Sequence, residues 1–197
     1  MDEGYVKFHS QLHESHPPSD WELKDMYLWR DKLYDLKYIG AYENGIGYGN
    51  ISIRSRFAKG FIISGTSTGK ISSLISDHFT RVISYNSEKN QVVCFGKVHA
   101  SSESMTHAAV YECDRSIKAV IHIHSKKFWD ILKDKIPSSD PSARYGTPEM
   151  AKEIIRLYHE TDFKNSGVMV MGGHKEGLLS FGSTLHEAGN RLLKILR

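Results

Sequence analysis

The amino-acid sequence predicts an α/β domain of three layers, a three-layer α/β/α sandwich with helices on both faces of a mixed sheet. Three observations predict it. Short apolar or alternating runs, such as Asn50-Ile51-Ser52-Ile53-Arg54 and Phe61-Ile62-Ile63, read as strands. Helical stretches fall among them irregularly, not in the strict strand–helix alternation that builds an all-parallel sheet. Two neighbouring runs, at 81–85 and 91–95, flank Asn86-Ser87-Glu88-Lys89-Asn90 and read as a hairpin. At 197 residues the chain fits one such domain with a sizeable core.

The elements follow in order. Residues 1–19 are polar and end in Pro17-Pro18-Ser19, which predicts a loose N-terminal arm and leaves 20–197 as the single domain. Asp20 is placed to cap a helix from about 21 to 38, whose apolar positions only roughly follow a helical stripe. Gly45-Ile46-Gly47-Tyr48-Gly49 predicts a turn into the strand at 50–54, and Ser64-Gly65-Thr66-Ser67-Thr68-Gly69 ends the strand at 61–63. Ser101-Ser102-Glu103 opens a helix running to about Cys113, and Ile121-His122-Ile123-His124-Ser125, preceded by the apolar Ala119-Val120, is the next strand. A short helix over 128–133 and a loop over 137–141 come next. Thr147-Pro148-Glu149 is a helix start with a threonine cap and proline at the first helical position. Strands at 168–171 and 177–181 bracket a turn holding His174, and a final helix begins near Ser183.

Composition narrows the function. The formal charge is +3 with no dense Lys/Arg run, so a nucleic-acid partner is not expected, while a small anionic ligand is compatible. Cys94 and Cys113 make neither a disulfide scaffold nor a C-x-x-C knuckle. No apolar run approaches the roughly 20 residues of a membrane span, and Met1-Asp2-Glu3-Gly4 does not begin a signal peptide. A cytoplasmic protein without a membrane partner is the expectation.

Two motifs fail on inspection. Ser64 to Ile71 resembles a nucleotide-hydrolase phosphate loop, but only three residues separate its glycines and Ile71 stands where a hydroxyl should hold magnesium. The loop keeps the composition of an anion nest. Gly45 to Gly49 precedes a strand, whereas a dinucleotide fingerprint follows one.

The chemistry that survives centres on His122 and His124. Side chains alternate along a strand, so these two point one way while Ile121 and Ile123 point into the opposite layer. Two adjacent imidazoles on an apolar strand cost desolvation unless something binds them, and a divalent metal is the economical binder. Taken alone, the pair leaves ligation and packing equally open. A catalytic zinc needs a third protein ligand, and His174 is the best placed, within Gly172-Gly173-His174-Lys175-Glu176-Gly177. His9, His13 and His16 fall in the arm, and His159 and His186 on polar helix faces. His107, one turn after Glu103, is compatible with helix packing and with a site role. Ser101 and Ser102, at a helix start, suit a phosphate as well as a plain cap. Glu103 just inside is a candidate general base.

In this order, Gly49-Asn50-Ile51-Ser52, Ser64-Gly65-Thr66, Ser101-Ser102-Glu103 with His107 and Tyr111, His122-Ile123-His124, Tyr145-Gly146-Thr147-Pro148-Glu149 and Gly173-His174 resemble the class II aldolase/adducin family, most of all its fuculose-phosphate aldolase branch. The resemblance runs from about residue 22 to the last helix. It implies a mostly antiparallel central sheet, a homotetramer, and Zn2+ held by His122, His124 and His174, with another divalent transition metal as the alternative. It further implies a phosphate pocket from Asn50, Ser64, Gly65, Ser101 and Ser102, and Glu103 as acid/base that also ligates zinc when substrate is absent. The implied reaction is cleavage of a phosphorylated sugar, a ketose 1-phosphate, to dihydroxyacetone phosphate and an aldehyde through a metal-stabilised enediolate. A methylthioribulose-phosphate dehydratase would use the same zinc and glutamate, and an adducin-like interaction module would keep the fold without chemistry. Relatives often carry Pro-Tyr before the Tyr-Gly-Thr segment, where this chain has Pro141-Ser142, so the proton donor to the aldehyde is expected elsewhere.

Overall fold

The computed structural model describes residues 8–56, 58–86 and 88–197. Its centre is an eight-stranded sheet in the order β1-β7-β6-β5-β4-β8-β10-β9, built from β1 (His9–Glu14), β4 (Asn50–Arg54), β5 (Phe61–Ser64), β6 (Phe79–Asn86), β7 (Gln91–Gly96), β8 (Ala119–His124), β9 (Val168–Val170) and β10 (Gly177–Gly182). The β1–β7 pair is parallel and every other pair antiparallel, so the sheet is mixed and mostly antiparallel. A separate two-stranded ribbon, β2 (Gly40–Ala41) with β3 (Gly47–Tyr48), stands beside it.

The two sheet faces bury two hydrophobic clusters, each roofed by helices. On one face α1 (Asp20–Asp35), α3 (Lys126–Leu132) and α6 (Leu185–Ile195) pack through Leu23, Met26, Leu33, Leu185 and Leu192 onto Ile51, Ile62, Ile121 and Ile123. On the other, α2 (Ser104–Cys113), α4 (Pro148–Glu160) and α5 (Phe163–Ser166) pack through Met105, Ala108, Ile154 and Phe163 onto Ile63, Val120 and Leu179. This is the predicted three-layer arrangement, and its physical origin is visible in β8. Ile121 and Ile123 enter the α1/α6 cluster while Val120 enters the α2/α4 cluster. His122 and His124, in step with Val120, are therefore turned toward α2.

The differences from expectation have local causes. Residues 9–14, read as part of a loose arm, form β1, because the unpaired edge of β7 offers backbone partners to any extended segment; the register runs from His9↔Gln91 to Glu14↔Gly96. Residues 1–7 lie outside the described residues, as does Ser87 in the β6–β7 turn. The cap of α1 is Ser19 and not Asp20, since the Glu22 carboxylate reaches back to accept from the Ser19 N–H at 3.3 Å and its Oγ–H at 3.0 Å. That carboxylate also pairs with Arg81 at 2.6 Å, tying the helix to β6. Thr147 caps α4 as expected, its Oγ1 accepting from the Met150 N–H at 3.4 Å. Helix α2 begins three residues later than predicted, at Ser104, which leaves Ser101-Ser102-Glu103 as the turn that enters it. Among the described residues no helix is long and apolar enough to cross a membrane.

Candidate metal and phosphate site

At the end of β8, on the α2 side of the sheet, a cavity of about 260 Å³ is lined by Asn50, Gly65 to Gly69, Ser101, Ser102, Glu103, His122, His124, Tyr145 and His174, with the ribbon segment 44–49 forming one wall. The sheet register gathers these groups. Asn50 on β4 lies opposite His122 on β8, and Gly177 on β10 lies opposite His124. His174 comes from the β9–β10 turn, which is drawn against the segment 139–143. An added β-carbon at Gly173 would stand 1.9 Å from the Ala143 carbonyl oxygen, and one at Gly172 would stand 2.1 Å from that of Ser139. Only glycines allow that approach, and the approach puts the following histidine in the cavity.

The three imidazoles converge. Their ligand nitrogens lie within 4.8 Å of one another, and all three residues are buried. His124 Nε2 is 3.1 Å from His122 Nε2 and 2.7 Å from His174 Nε2. Glu103 Oε1 is 3.7 Å from His174 Nε2 and 3.9 Å from His122 Nε2. These four groups are near enough to one another for a single divalent ion to be shared among them, since zinc takes such donors at about 2.0–2.2 Å.

Hydrogen bonds made on the far side of two rings fix which nitrogen faces that point. His122 Nδ1 lies 3.1 Å from the Leu178 carbonyl, which only accepts, so the proton sits on Nδ1 and the Nε2 lone pair faces the cavity. His124 Nδ1 lies 2.8 Å from the Tyr42 hydroxyl, and that hydroxyl donates to Glu176 Oε2 at 2.9 Å. Its only proton being committed, the hydroxyl accepts from His124 Nδ1–H, and the His124 Nε2 lone pair also faces inward. Two lone pairs 3.1 Å apart repel unless a cation lies between them. Protonation is a poor remedy here. Burial pushes His122 down to about 4, against the opposing pull of the Leu178 carbonyl, and pushes His124 well below the usual histidine range. The donor set thus fits a divalent metal, with three imidazoles and a carboxyl group.

The floor beneath is polar and buried. Ser52, two residues along β4 from Asn50, hydrogen-bonds His107 Nδ1 at 2.7 Å and the Tyr111 hydroxyl at 2.8 Å. His107 is fully buried, and desolvation together with the neighbouring His122 holds it well below the usual range. It sits under the site and is not among the residues that line the cavity.

The proposed anion-binding residues divide. Asn50, Gly65, Ser101 and Ser102 reach the cavity, but Ser64 does not line it. The Ser64 Oγ instead accepts from the Ile51 N–H at 3.3 Å, stitching β5 to β4. The Gly65 N–H is taken by the His78 carbonyl at 2.8 Å, so this glycine contributes space and not a donor. The following loop, with Thr66, Ser67, Thr68 and Gly69, supplies the rest of that wall. Ser142 stands outside, exposed, its hydroxyl donating to Asp140 at 2.6 Å. His9, His13, His16, His159 and His186 are all exposed and away from the cavity.

Four aromatic or acidic residues stand at the site that the sequence reading gave no site role. Tyr145 meets His174 edge-on with ring centroids 4.3 Å apart, Tyr48 stacks on His124 at 5.3 Å, and Tyr42 and Glu176 hold His124 from behind. Nothing in their spacing marks them, because they arrive from a short ribbon and from turns.

Comparison with known proteins agrees with this architecture. Residues 43–129 match the family described as Class II Aldolase and Adducin N-terminal domain. That span holds Asn50, Ser64, Gly65, Ser101 to Glu103, His122 and His124, while His174 lies beyond it. No curated protein matches the sequence. Among solved structures, an L-fuculose 1-phosphate aldolase is similar at 18% identity, over 92% of this chain and 84% of that one, with a TM-score of 0.69. The L-fuculose-1-phosphate aldolase of Thermus thermophilus is similar at 18% identity, over 86% of each chain, with a TM-score of 0.63. YgbL of Escherichia coli is similar at 17% identity, over 89% of this chain and 85% of that one, with a TM-score of 0.64. At such identities the structural likeness carries the fold alone. The match over residues 43–129 and the fold agree: this chain carries a segment similar to the class II aldolase/adducin N-terminal domain on a fold shared with L-fuculose 1-phosphate aldolases.

Proposed function

We propose that this protein is a zinc-dependent sugar-phosphate aldolase that cleaves a ketose 1-phosphate to dihydroxyacetone phosphate and an aldehyde, acting as a homotetramer in the cytoplasm. The observation that carries the reading is the convergence of three imidazoles on one point, with the Glu103 carboxylate within 4 Å of two of them. When bound there, a divalent ion supplies Lewis-acid stabilisation of the negative charge that develops on substrate oxygens as a carbon–carbon bond breaks.

The chain's own residues do the rest. His122, His124 and His174 hold the ion. Ser101, Ser102, Asn50 and the loop 66–69 bind the phosphate, aided by the positive end of α2. Glu103 enters α2 directly from those serines, so phosphate binding and proton transfer share one rigid turn. Its carboxylate moves the proton at the carbon beside the carbonyl. Depth matters as well, since Glu103 is only 2% exposed and bulk water has little access to that proton.

The test is a panel of ketose 1-phosphates assayed for dihydroxyacetone phosphate release by zinc-loaded protein, with a dehydratase assay in parallel. Release of dihydroxyacetone phosphate, lost on chelation and restored by zinc, is the expected result. Dehydration without carbon–carbon cleavage would overturn the aldolase assignment. Failure to take up any divalent metal would overturn the enzyme reading and favour an interaction module.

A further inference from the structure

The metal-facing nitrogen of His124 is governed by a relay behind it. Tyr42 follows β2 directly, and its hydroxyl donates to Glu176 Oε2 at 2.9 Å while lying 2.8 Å from His124 Nδ1. Glu176 belongs to the β9–β10 turn that carries His174, and the Ser125 N–H donates to its carbonyl at 2.8 Å. Three separate segments therefore meet behind one imidazole. Glu176 also adopts φ +73°, a left-handed conformation that glycine would take without steric cost. A carboxylate is kept where backbone geometry favours a residue without one. Tyr48 closes the arrangement by stacking on the His124 ring at 5.3 Å and 24°. The charged neighbour from the adjoining helix is Lys126, whose ammonium is stabilised chiefly by Asp130 and, more weakly, by Glu176.

We propose that Tyr42 and Glu176 are positioning residues for His124, holding its proton on Nδ1 and so presenting the Nε2 lone pair to a metal. The logic is directional. A carboxylate only accepts, so it orients the Tyr42 hydroxyl outward, and the hydroxyl must then accept from the imidazole. If the carboxylate is removed, the hydroxyl is released to donate to Nδ1, which drives the imidazole proton onto Nε2, the nitrogen the metal needs. If the hydroxyl is removed, Nδ1 loses its partner and the tautomer is no longer imposed. A purely structural role for the same residues makes no such distinction between variants. The proposal rests on the reading of the three histidines as a metal site.

Its test reads two quantities other than turnover. The first is the His124 tautomer in metal-free protein, from nitrogen-15 chemical shifts of the ring. The second is zinc affinity by competition with a chromophoric chelator. Wild type should show Nδ1–H. Glu176→Ala should convert His124 to Nε2–H and weaken zinc binding by at least tenfold, whereas Glu176→Gln, which keeps a carbonyl acceptor, should stay within about threefold of wild type. Tyr42→Phe should give a mixed tautomer population and a loss of roughly ten- to hundredfold. Should Tyr42→Phe fail to fold, as circular dichroism would reveal, the Glu176→Ala and Glu176→Gln pair decides the matter alone. An Nδ1–H tautomer persisting in Glu176→Ala, or zinc affinities within twofold across the series, would overturn the proposal. Wild-type protein that shows the Nδ1–H tautomer but takes up no metal would instead count against the metal-site reading and leave the relay in place.

Discussion

Replacing Gly177 by alanine should dismantle the candidate metal site without touching any group that would bind metal or substrate. Gly177 lies opposite His124 in the β8–β10 ladder, and its missing side chain faces the imidazoles. A β-carbon there would stand 2.4 Å from His174 Cδ2, 3.0 Å from the His174 carbonyl oxygen and 3.1 Å from His122 Cε1. Ordinary carbon–carbon contact is about 3.5–4.0 Å, so the His174 ring must retreat by roughly 1 Å. The ring has little room, because Tyr145 already packs against it with centroids 4.3 Å apart. Metal sites tolerate distance errors of only about ±0.2 Å, so a shift of that size removes His174 as a ligand. Zinc affinity should fall by at least tenfold, about 1.4 kcal/mol, with a hundredfold loss within range. Fold stability should suffer less. Overpacking costs about 1–3 kcal/mol, and alanine recovers about 0.4–1 kcal/mol by restricting the unfolded chain. Chelator competition measures the first quantity and denaturant unfolding of metal-free protein the second. Zinc affinity within twofold of wild type, in a folded variant, would refute the reasoning.

The other predictions concern single groups and pH. Glu103→Gln should retain one bound zinc yet lower turnover by roughly 10²–10⁴, as metal analysis and kinetics on the same preparation would check. Ser102→Ala should raise KM for the phosphorylated substrate by about tenfold with kcat little changed, since binding of a remote phosphate is shared by ground and transition states. Metal-free protein should lose stability as pH falls from 6.5 toward 4, because burial depresses His122 to about 4 while the unfolded chain takes up protons at the ordinary histidine value of 6.5. Across that window the loss from this residue is on the order of 3 kcal/mol, with His124 and His107 acting in the same direction. Thermal unfolding at several pH values would measure it, and a flat profile would contradict it. Gly189→Ala, which would set a β-carbon 2.0 Å from the Trp29 ring, should lower the unfolding temperature by several degrees while leaving zinc affinity unchanged.

What the sequence revealed and what it hid separate along physical lines. The facing of His122 and His124 was legible because strand alternation is rigid and Ile121 and Ile123 declare the opposite face. Glu103 and the two serines could be placed at the entrance of α2 from the sequence because polar residues of this kind gather at helix starts, where they cap as readily as they bind. Thr147 and Pro148 marked α4 through local backbone chemistry alone. Strand β1 was hidden, since its polar residues carry no hydrophobic signal and its pairing comes from the exposed edge of β7. Ser64 falls outside the cavity lining, and its hydroxyl stitches β5 to β4, a use of a strand-end serine that sequence does not separate from ligand binding. Tyr42 and Glu176 were hidden more deeply: 134 positions separate them, and only the completed fold brings their side chains to 2.9 Å.

The same alternation explains how a sheet can afford buried imidazoles at all. Register in the β4–β8–β10 stretch is fixed by Ile51, Ile121, Ile123 and Leu178, each wholly buried in the α1/α6 cluster. Full burial of such a side chain is worth about 1.5–3 kcal/mol, and a one-residue slip would turn all of them out of that cluster. That slip would also drive His122 and His124 into an apolar layer with nothing to bind them. Hydrophobic burial on one face therefore enforces the polar constellation on the other. Groups set by this register, namely Asn50, Ser52, His122 and His124, inherit the rigidity of the sheet. The ribbon 44–49 and the loop 66–69 line the cavity from connecting segments, which can change without disturbing the register. The strands thus fix His122 and His124, while the turns that bring Glu103 and His174, and the segments around them, complete the cavity.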